Sequence, residues 1–284
     1  MKEEEIMPDE PLDATTHEEP GEKKKKKSLQ FIRWDDSEPA ARLTLCRPKQ
    51  NMMNIEMLRE MAGAIDSLLN RKEVRLLILD SAPECEGYFS IGAEAEAYAR
   101  PMVFQMMDAF HNVFRAMNEL SRPVLAVVDG VASGAGAELA ASCDLVIATD
   151  QAQFHQPEIK LGVFPPFGAV IYPRIIGPRR AMEFLLTGDP INAQQALMMG
   201  LVNQVVPRTA LKETVGALAK RICNQSGPVL RLLKQVMFGG TWKPFSEALK
   251  NAQNIYLNQL FELQDSQEGL RALIERRKPV WKNK

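Results

Sequence analysis

A chain of 284 residues is long enough to bury a large core, and 45% hydrophobic with 25% charged residues is the composition of an ordinary globular protein. A formal net charge of −1 gives the molecule as a whole no bias toward nucleic acid or anionic membranes, and no run of about eighteen apolar residues is present to span a bilayer. Cys46, Cys85, Cys143 and Cys223 are scattered without a CxxC pair, the pattern of reduced thiols in a cytoplasmic protein, which argues against a disulfide-stapled secreted domain.

Residues 1–28 are acidic at first and then carry KKKKK at 23–27. They hold too few apolar residues to offset the entropy of ordering, so a disordered charged tail is predicted. Its start, MKEEEIMPDE, lacks the apolar stretch of a secretory signal. The lysine run offers a polyanion contact, and a solvated tail is the simpler reading.

From Leu29 the pattern changes. LQFIRWDD and ARLTLCRP alternate apolar and polar residues around a turn-like SEPA, which predicts a β-hairpin. IEMLREMAGAIDSLLN has helical spacing, VRLLILDS reads as a buried strand, and MVFQMMDAFHNVFRAMNEL is helical again. PVLAVVDG predicts a strand, GAELAASC a helix start and DLVIATD another strand. Strands alternating with helices predict parallel βαβ units and an α/β fold. No fixed-period repeat shows in the residues, although successive ββα units remain open to it. The segment LLTGDPINAQQALMMGLVNQVVP is punctuated by Gly188, Pro190, Gly200 and Pro207. The division expected is a tail at 1–28, a core at 29–210 and a helical region at 211–284, ending in a basic amphipathic helix with a proline stop.

The stretch GAGAELAASCDLVIATD, residues 134–150, looks at first like a dinucleotide fingerprint. Leu139 occupies the place of the third glycine, and Glu138 would put a fixed negative charge where a pyrophosphate must dock. A carboxylate among Gly134, Ala135, Gly136, Ala137, Leu139 and Ala140 is costly to bury without a partner. A helix N-terminus favours its ionised form and apolar surroundings its neutral form, a balance suited to proton transfer near neutral pH. On position alone, a capping or salt-bridged glutamate is an equal reading. Glu158 follows twenty residues later in FHQPEIKLGVFPPFGA. One strand (DLVIATD) and a return loop (QAQFHQP) would bring it back beside Glu138, and two carboxylates around one cavity are an acid–base arrangement.

Three stretches, FSIGAEAEA, VDGVASGAGAELAASCDLVIATDQAQFHQPEIKLGV and LLTGDPINAQQALMMGLVNQVVP, in that order, resemble the enoyl-CoA hydratase/isomerase (crotonase) superfamily over about residues 29–284. The resemblance implies a crotonase-like ββα spiral core followed by C-terminal helices that mediate trimerisation, as a homotrimer or homohexamer. It places the acid–base pair on Glu138 and Glu158, and an oxyanion hole on the backbone N–H groups of Ala93 and Ala135. Substrate contacts are expected from Ile91, Phe164, Pro166, Phe167, Lys49, Met52 and Lys278. Arg47 and Lys282 are further candidates for the coenzyme A phosphates, Lys278 and Lys282 acting from a neighbouring subunit. No separate cofactor is implied, since coenzyme A is part of the substrate, and neither a metal nor a nucleic acid is expected.

The sequence also departs from the family pattern. The usual aspartate after the first oxyanion alanine is Glu94, Ala135 replaces the commoner glycine at the second oxyanion position, and the glycine-rich segment of the acyl wall reads FPPFGA from Phe164 to Ala169. The GVFPP run, with the MMDAFHNVFR helix, is most similar to cyclohexa-1,5-diene-1-carbonyl-CoA hydratases. The activity implied is addition of water to an enoyl-CoA. A double-bond isomerase, needing one acid–base carboxylate, and a non-catalytic or RNA-binding homologue using the lysine tail are the alternatives; retention of both glutamates favours hydration.

The remaining candidates read as structural. His17, His111 and His155 are too few and too dispersed for a metal site; His111 reads as a packing residue and His155 as a possible pocket residue. Ser133 lacks a GxSxG context. Met52, Met53, Met106, Met107, Met198 and Met199 read as core filler, one of the first two also touching coenzyme A.

Overall fold

The structure, a computed structural model, describes residues 29–85, 87–94, 101–241 and 243–284. The charged tail at 1–28, with KKKKK and His17, lies outside the described residues.

The chain opens with the expected hairpin. Strands β1 (Ile32–Asp35) and β2 (Ala40–Leu45) pair antiparallel, Ile32 opposite Leu45. Helix α1 (Ile55–Ser67) starts where the Asn54 side chain accepts the Met57 N–H at 2.9 Å, satisfying a free donor of the first turn. Its apolar stripe, with Met57, Leu58, Met61 and Ile65, is buried.

Three ββα units follow. They are β3 (Leu76–Ser81), β4 (Tyr88–Ser90) and α2 (Met102–Glu119); then β5 (Val124–Val128), β6 (Val131–Ser133) and α3 (Ala135–Ala141); then β7 (Leu145–Thr149), β8 (Gln153–His155) and α4 (Gly168–Ile176). In each unit the first strand joins one sheet and the second strand another. Helix α5 (Pro178–Thr187), strand β9 (Ile191–Asn192), helix α6 (Ala193–Met199) and strand β10 (Gln204–Val206) complete the two sheets. The larger has the order β1-β2-β3-β5-β7-β10 and the smaller β4-β6-β8-β9. β2, β3, β5, β7 and β10 run parallel, as do β4, β6 and β8. This is the ββα spiral: the repeat lies in topology, not in residue identity.

The larger sheet is covered on both faces, which is why its strands read as unbroken apolar runs. Leu77 and Leu79 of β3 enter the main core, whereas Leu76 and Ile78 point to the opposite face with Leu125, Val127 and Ile147. That face is covered by Val215 and Cys223 of α7 (Leu211–Cys223). Helices α8 (Gly227–Gly240), α9 (Phe245–Ile255) and α10 (Gln264–Ile274) follow. Lys234 of α8 ties them to the core through a 2.7 Å ion pair with Asp144, whose carboxylate also accepts the Val124 N–H. The C-terminal strand of chain folds back onto buried Asp265, which accepts Ser226 Oγ at 2.6 Å and the Lys282 N–H at 2.7 Å. No helix among the described residues is long and apolar enough to cross a membrane.

Three details differ from expectation. QAQFHQP is not a plain return loop, since it contains β8. His111 is exposed rather than packed, because α2 buries Met106, Ala109, Phe110, Val113 and Met117, which leaves position 111 on the outer face. Of the methionines, Met53 and Met106 are in the core, but Met107 and Met198 are exposed.

Candidate active site

The site is built where β6 turns into α3. Gly134 holds φ 53° and ψ −129°, a conformation closed to residues with a Cβ. The positive φ therefore falls on Gly134 and not on Ala135, which is an ordinary helical residue; alanine costs nothing there. One turn into α3, Glu138 is only 3% exposed. Its Oε1 accepts the Gly168 N–H at 2.6 Å from the start of α4. Burial pushes its pKa up to about 7, with the Glu158 charge acting in the same direction and the Gly168 N–H against both.

Glu158 reaches the same place from the other side. β8 lies parallel to β6, with Ser133 opposite His155, and the Gly134 N–H donates to the His155 carbonyl at 3.0 Å. The chain then enters a tight 3₁₀ turn, Pro157–Leu161, which carries Glu158 over Gly134. A β-carbon built on Gly134 would lie 2.7 Å from Glu158 Oε1. Oε2 is buried without a hydrogen-bond partner among the described residues, and burial raises the pKa of this group too. The nineteen residues between the carboxylates are thus taken up by the end of α3, by β7, β8 and their turns.

Ala93 and Ala135 come together through Gly92. A β-carbon on Gly92 would sit 2.9 Å from the Ser133 carbonyl oxygen and 3.0 Å from the Ala135 nitrogen, so only glycine permits this approach. Met53 N–H donates to Gly92 O at 2.7 Å and Glu94 N–H to Met53 O at 3.2 Å, which pins the chain on both sides of Ala93. Neither the Ala93 nor the Ala135 N–H makes a hydrogen bond among the described residues, and two such donors side by side can take a developing oxyanion. Glu94 is ion-paired with Arg47, whose other guanidinium nitrogen donates to Met52 O at 2.6 Å. Arg47 and Met52 therefore brace the loop that carries Ala93. Lys49, between them, is exposed.

Phe167 forms a wall. Its ring centroid is 4.4 Å from that of Phe114 and 6.2 Å from that of Phe110, both on α2. Behind Phe114 and Phe167 opens a cavity of about 550 Å³ lined by Val170, Ile171, Lys234 and Phe238. Phe114 and Phe167 line it too, whereas Glu138, Glu158, Ala93 and Ala135 do not. Ile91 and Pro166 are half-buried, whereas Phe164 is 67% exposed and belongs to the surface rather than to a wall. Lys278 and Lys282 are exposed, and their backbone contacts, to Arg277 and Asp265, serve the C-terminal fold. His155 contributes its carbonyl to Gly134, while its ring meets Gln153 at 3.3 Å instead of the carboxylates.

Sequence reasoning missed three residues around this centre. Buried Asn51 donates to Phe89 O at 3.0 Å and receives the Arg47 N–H at 2.7 Å, fixing the loop against β4. Gln156 Nε2 donates to Gly134 O at 3.2 Å and to the Tyr172 hydroxyl at 2.7 Å. Tyr172 is fully buried, with its ring against Gly168 and T-shaped to Phe184 at 5.3 Å. The available signals were a glutamine two residues before Glu158 and one tyrosine in the largely apolar GAVIYPRII.

Residues 36–284 match the family model described as enoyl-CoA hydratase/isomerase. The crotonyl-CoA hydratase of Syntrophomonas wolfei is 34% identical over 250 residues, which cover 86% of this chain and 95% of that one. A zebrafish protein, enoyl-CoA hydratase domain-containing protein 3, mitochondrial, is 32% identical over 244 residues, covering 85% of this chain and 84% of its own. The crystal structure of an enoyl-CoA hydratase from Bacillus anthracis superposes with a TM-score of 0.83 at 29% identity, covering 90% of this chain and all of the other.

Proposed function

The chain belongs to the enoyl-CoA hydratase/isomerase family, and from that premise we propose that it is a lyase adding water across the α,β-double bond of an enoyl-CoA thioester. One observation carries this reading. Two buried carboxylates, Glu138 and Glu158, meet across Gly134, beside the N–H groups of Ala93 and Ala135, which have no hydrogen-bond partner among the described residues.

One of the two carboxylates, ionised, takes a proton from water as the water oxygen bonds to the β-carbon. The other, protonated, delivers its proton to the α-carbon. The thioester oxygen becomes negative between these steps, and the two backbone N–H groups stabilise it. A proton passed between the two carboxylates restores the start.

The acyl group we assign is compact, since Phe114 and Phe167 close one side; a cyclic dienoyl group is the finer form of this reading. Arg47 and Lys49 are the assigned neighbours of the coenzyme A phosphates, and the substrate carries its own coenzyme A, so no further cofactor is invoked. Trimeric or hexameric assembly is supported by exposed Met237, Phe238, Leu257, Leu273 and Ile274 on the C-terminal helices; a monomer in sedimentation at micromolar concentration would remove it.

The test is loss of enoyl absorbance with crotonyl-CoA, longer enoyl-CoAs and a cyclic dienoyl-CoA. A hydroxyacyl product with one of them supports the proposal. A shifted double bond, abolished by Glu158→Gln alone, would replace it with isomerisation. No turnover of any of them, together with salt-sensitive RNA binding lost on removal of residues 1–28, would replace it with a nucleic-acid role.

A further inference from the structure

The N–H groups of Ala93 and Ala135 come from separate segments, and Ser90 touches both of these segments. β4 advances two residues where β6 advances one: Tyr88 pairs with Val131 and Ser90 with Ala132. Such a bulge re-aims the residues beyond it, and Ser90 is fully buried. The loop ahead of α1 packs into this irregularity. Asn51 Nδ2 donates to Phe89 O at 3.0 Å, and the Ile91 N–H donates to Gln50 O at 3.1 Å. Ser90 Oγ donates to Asn51 O at 2.6 Å and accepts the Gly92 N–H at 3.1 Å. The hydroxyl therefore links the loop to the residue just before Ala93.

On its other side Ser90 meets α3. A β-carbon on Gly136, the residue after Ala135, would lie 2.4 Å from Ser90 O and 2.8 Å from Ser90 Cβ, so the helix start rests directly on this serine. Gly92 has a φ of 91°, and a glycine peptide turns easily unless it is held at both ends. Met53 holds its carbonyl at 2.7 Å, and Ser90 holds its N–H. Alanine in place of the serine would keep the contact with Gly136 but leave the Gly92 N–H without this acceptor. We propose that Ser90 is a positioning residue of the oxyanion hole: its hydroxyl fixes the Gly92 peptide, and so aims the Ala93 N–H at the point that the Ala135 N–H also faces. A donor displaced by a fraction of an ångström loses much of its effect on a developing charge, because that effect depends on preorganised geometry.

The inference rests on the hydratase reading for its catalytic consequence, but the aim of the two donors can be measured without turnover. The probe is butyryl-CoA labelled with ¹³C at the thioester carbonyl, which has no double bond to hydrate. Two hydrogen bonds to its oxygen lower the carbonyl stretch, read by infrared difference spectroscopy on the bound ligand. The parent protein should lower the stretch, and Ser90→Ala should move it back toward the value of free butyryl-CoA. With crotonyl-CoA, kcat of Ser90→Ala should fall about 10- to 100-fold, less than the loss of a whole oxyanion donor, while KM stays within about threefold. Ser90→Cys, which offers the Gly92 N–H a weaker and longer acceptor, should give a smaller change in the same direction, and stands in if Ser90→Ala fails to fold. A lower melting temperature with an unchanged stretch would make Ser90 a structural residue only and overturn the inference. A parent protein that does not lower the stretch at all would overturn it together with the oxyanion assignment. A parent that hydrates no enoyl-CoA, yet lowers a stretch that relaxes in Ser90→Ala, would overturn the hydratase reading and leave the role of Ser90 standing.

Discussion

Gly134 and Glu158 are in direct contact: the space a β-carbon would take on Gly134 ends 2.7 Å from Glu158 Oε1. The same glycine holds a φ of 53° that an L-residue adopts only under strain. Gly134→Ala should therefore do two separable things. It should push the Glu158 carboxylate away from its partner, lowering hydration of the best enoyl-CoA by about 100-fold or more, the scale of one acid–base contribution. It should also lower the melting temperature by a few degrees through strain of about 1 kcal/mol or more. Retained activity with only the stability loss would show that the glycine serves the turn and not the carboxylate.

Glu138 should make the protein less stable as it ionises. Its pKa in the folded state is about 7, against an ordinary value of 4.5. The folded state therefore holds this proton more tightly than the unfolded chain, so the associated stability is fully present below about 4.5 and is lost as pH rises through 7. The loss amounts to about 3 kcal/mol. Glu138→Gln carries no such penalty. At pH 8 it should melt several degrees above the parent protein although its activity is gone, and the two should converge near pH 5. A variant less stable than the parent at both pH values would make Glu138 a structural cap.

How much of this was visible in the residues differs by level. The hairpin of β1 and β2, the helix of α1 and the strand β3 follow from local alternation and spacing, because each is decided by its own segment. Glu138 was conspicuous because it is a charge in a run of small residues, and Glu158 because one strand and a return loop were expected to bring the chain back, although that return contains β8. The division of each ββα unit between two sheets was not legible, since it depends on pairing between segments that share no sequence pattern. Tyr172 was hidden for the opposite reason: its hydroxyl is met by Gln156 from a segment sixteen residues earlier, and nothing local distinguishes it from a packing residue. Phe164 and His155 misled because a neighbour of a site residue in sequence faces elsewhere when the chain is in a turn or a strand.

The aromatic wall should govern acyl size. Phe114 packs on Phe167 at 4.4 Å, with the cavity of about 550 Å³ behind them. Phe114→Ala should join the cavity to the site. The ratio of kcat/KM for a ten-carbon enoyl-CoA to that for crotonyl-CoA should rise by about tenfold or more, at a stability cost of about 2–4 kcal/mol for a partly buried ring. An unchanged ratio would place the acyl path elsewhere.

Charge reversal tests the coenzyme A assignment. Lys49 is exposed beside the Arg47–Glu94 pair that braces Ala93, and it has no role in the core. Lys49→Glu should raise KM about 5- to 50-fold at low salt, with kcat little changed, and the effect should shrink as salt is added. An unaltered KM would remove Lys49 from the phosphate contacts.

The sharpest expectation concerns the two carboxylates as one unit. If Glu138 and Glu158 manage a single water from opposite sides of Gly134, each needs the other in place. Glu138→Gln and Glu158→Gln keep size and most hydrogen bonding but remove ionisation, so each alone should slow hydration by roughly 10²–10⁴-fold. Once one is lost, the other has no partner for its half of the proton traffic, and its removal should cost far less than before. The double variant should therefore be much less impaired than the product of the two single effects. Acyl-CoA affinity should hold within about threefold in all three variants, because the N–H groups of Ala93 and Ala135 are untouched. Glu158→Gln should also lower the Glu138 titration, since the neighbouring charge is one of the forces that raises it. Fully multiplicative rate losses, with the Glu138 titration unmoved, would mean that the two carboxylates act at separate steps and share no water.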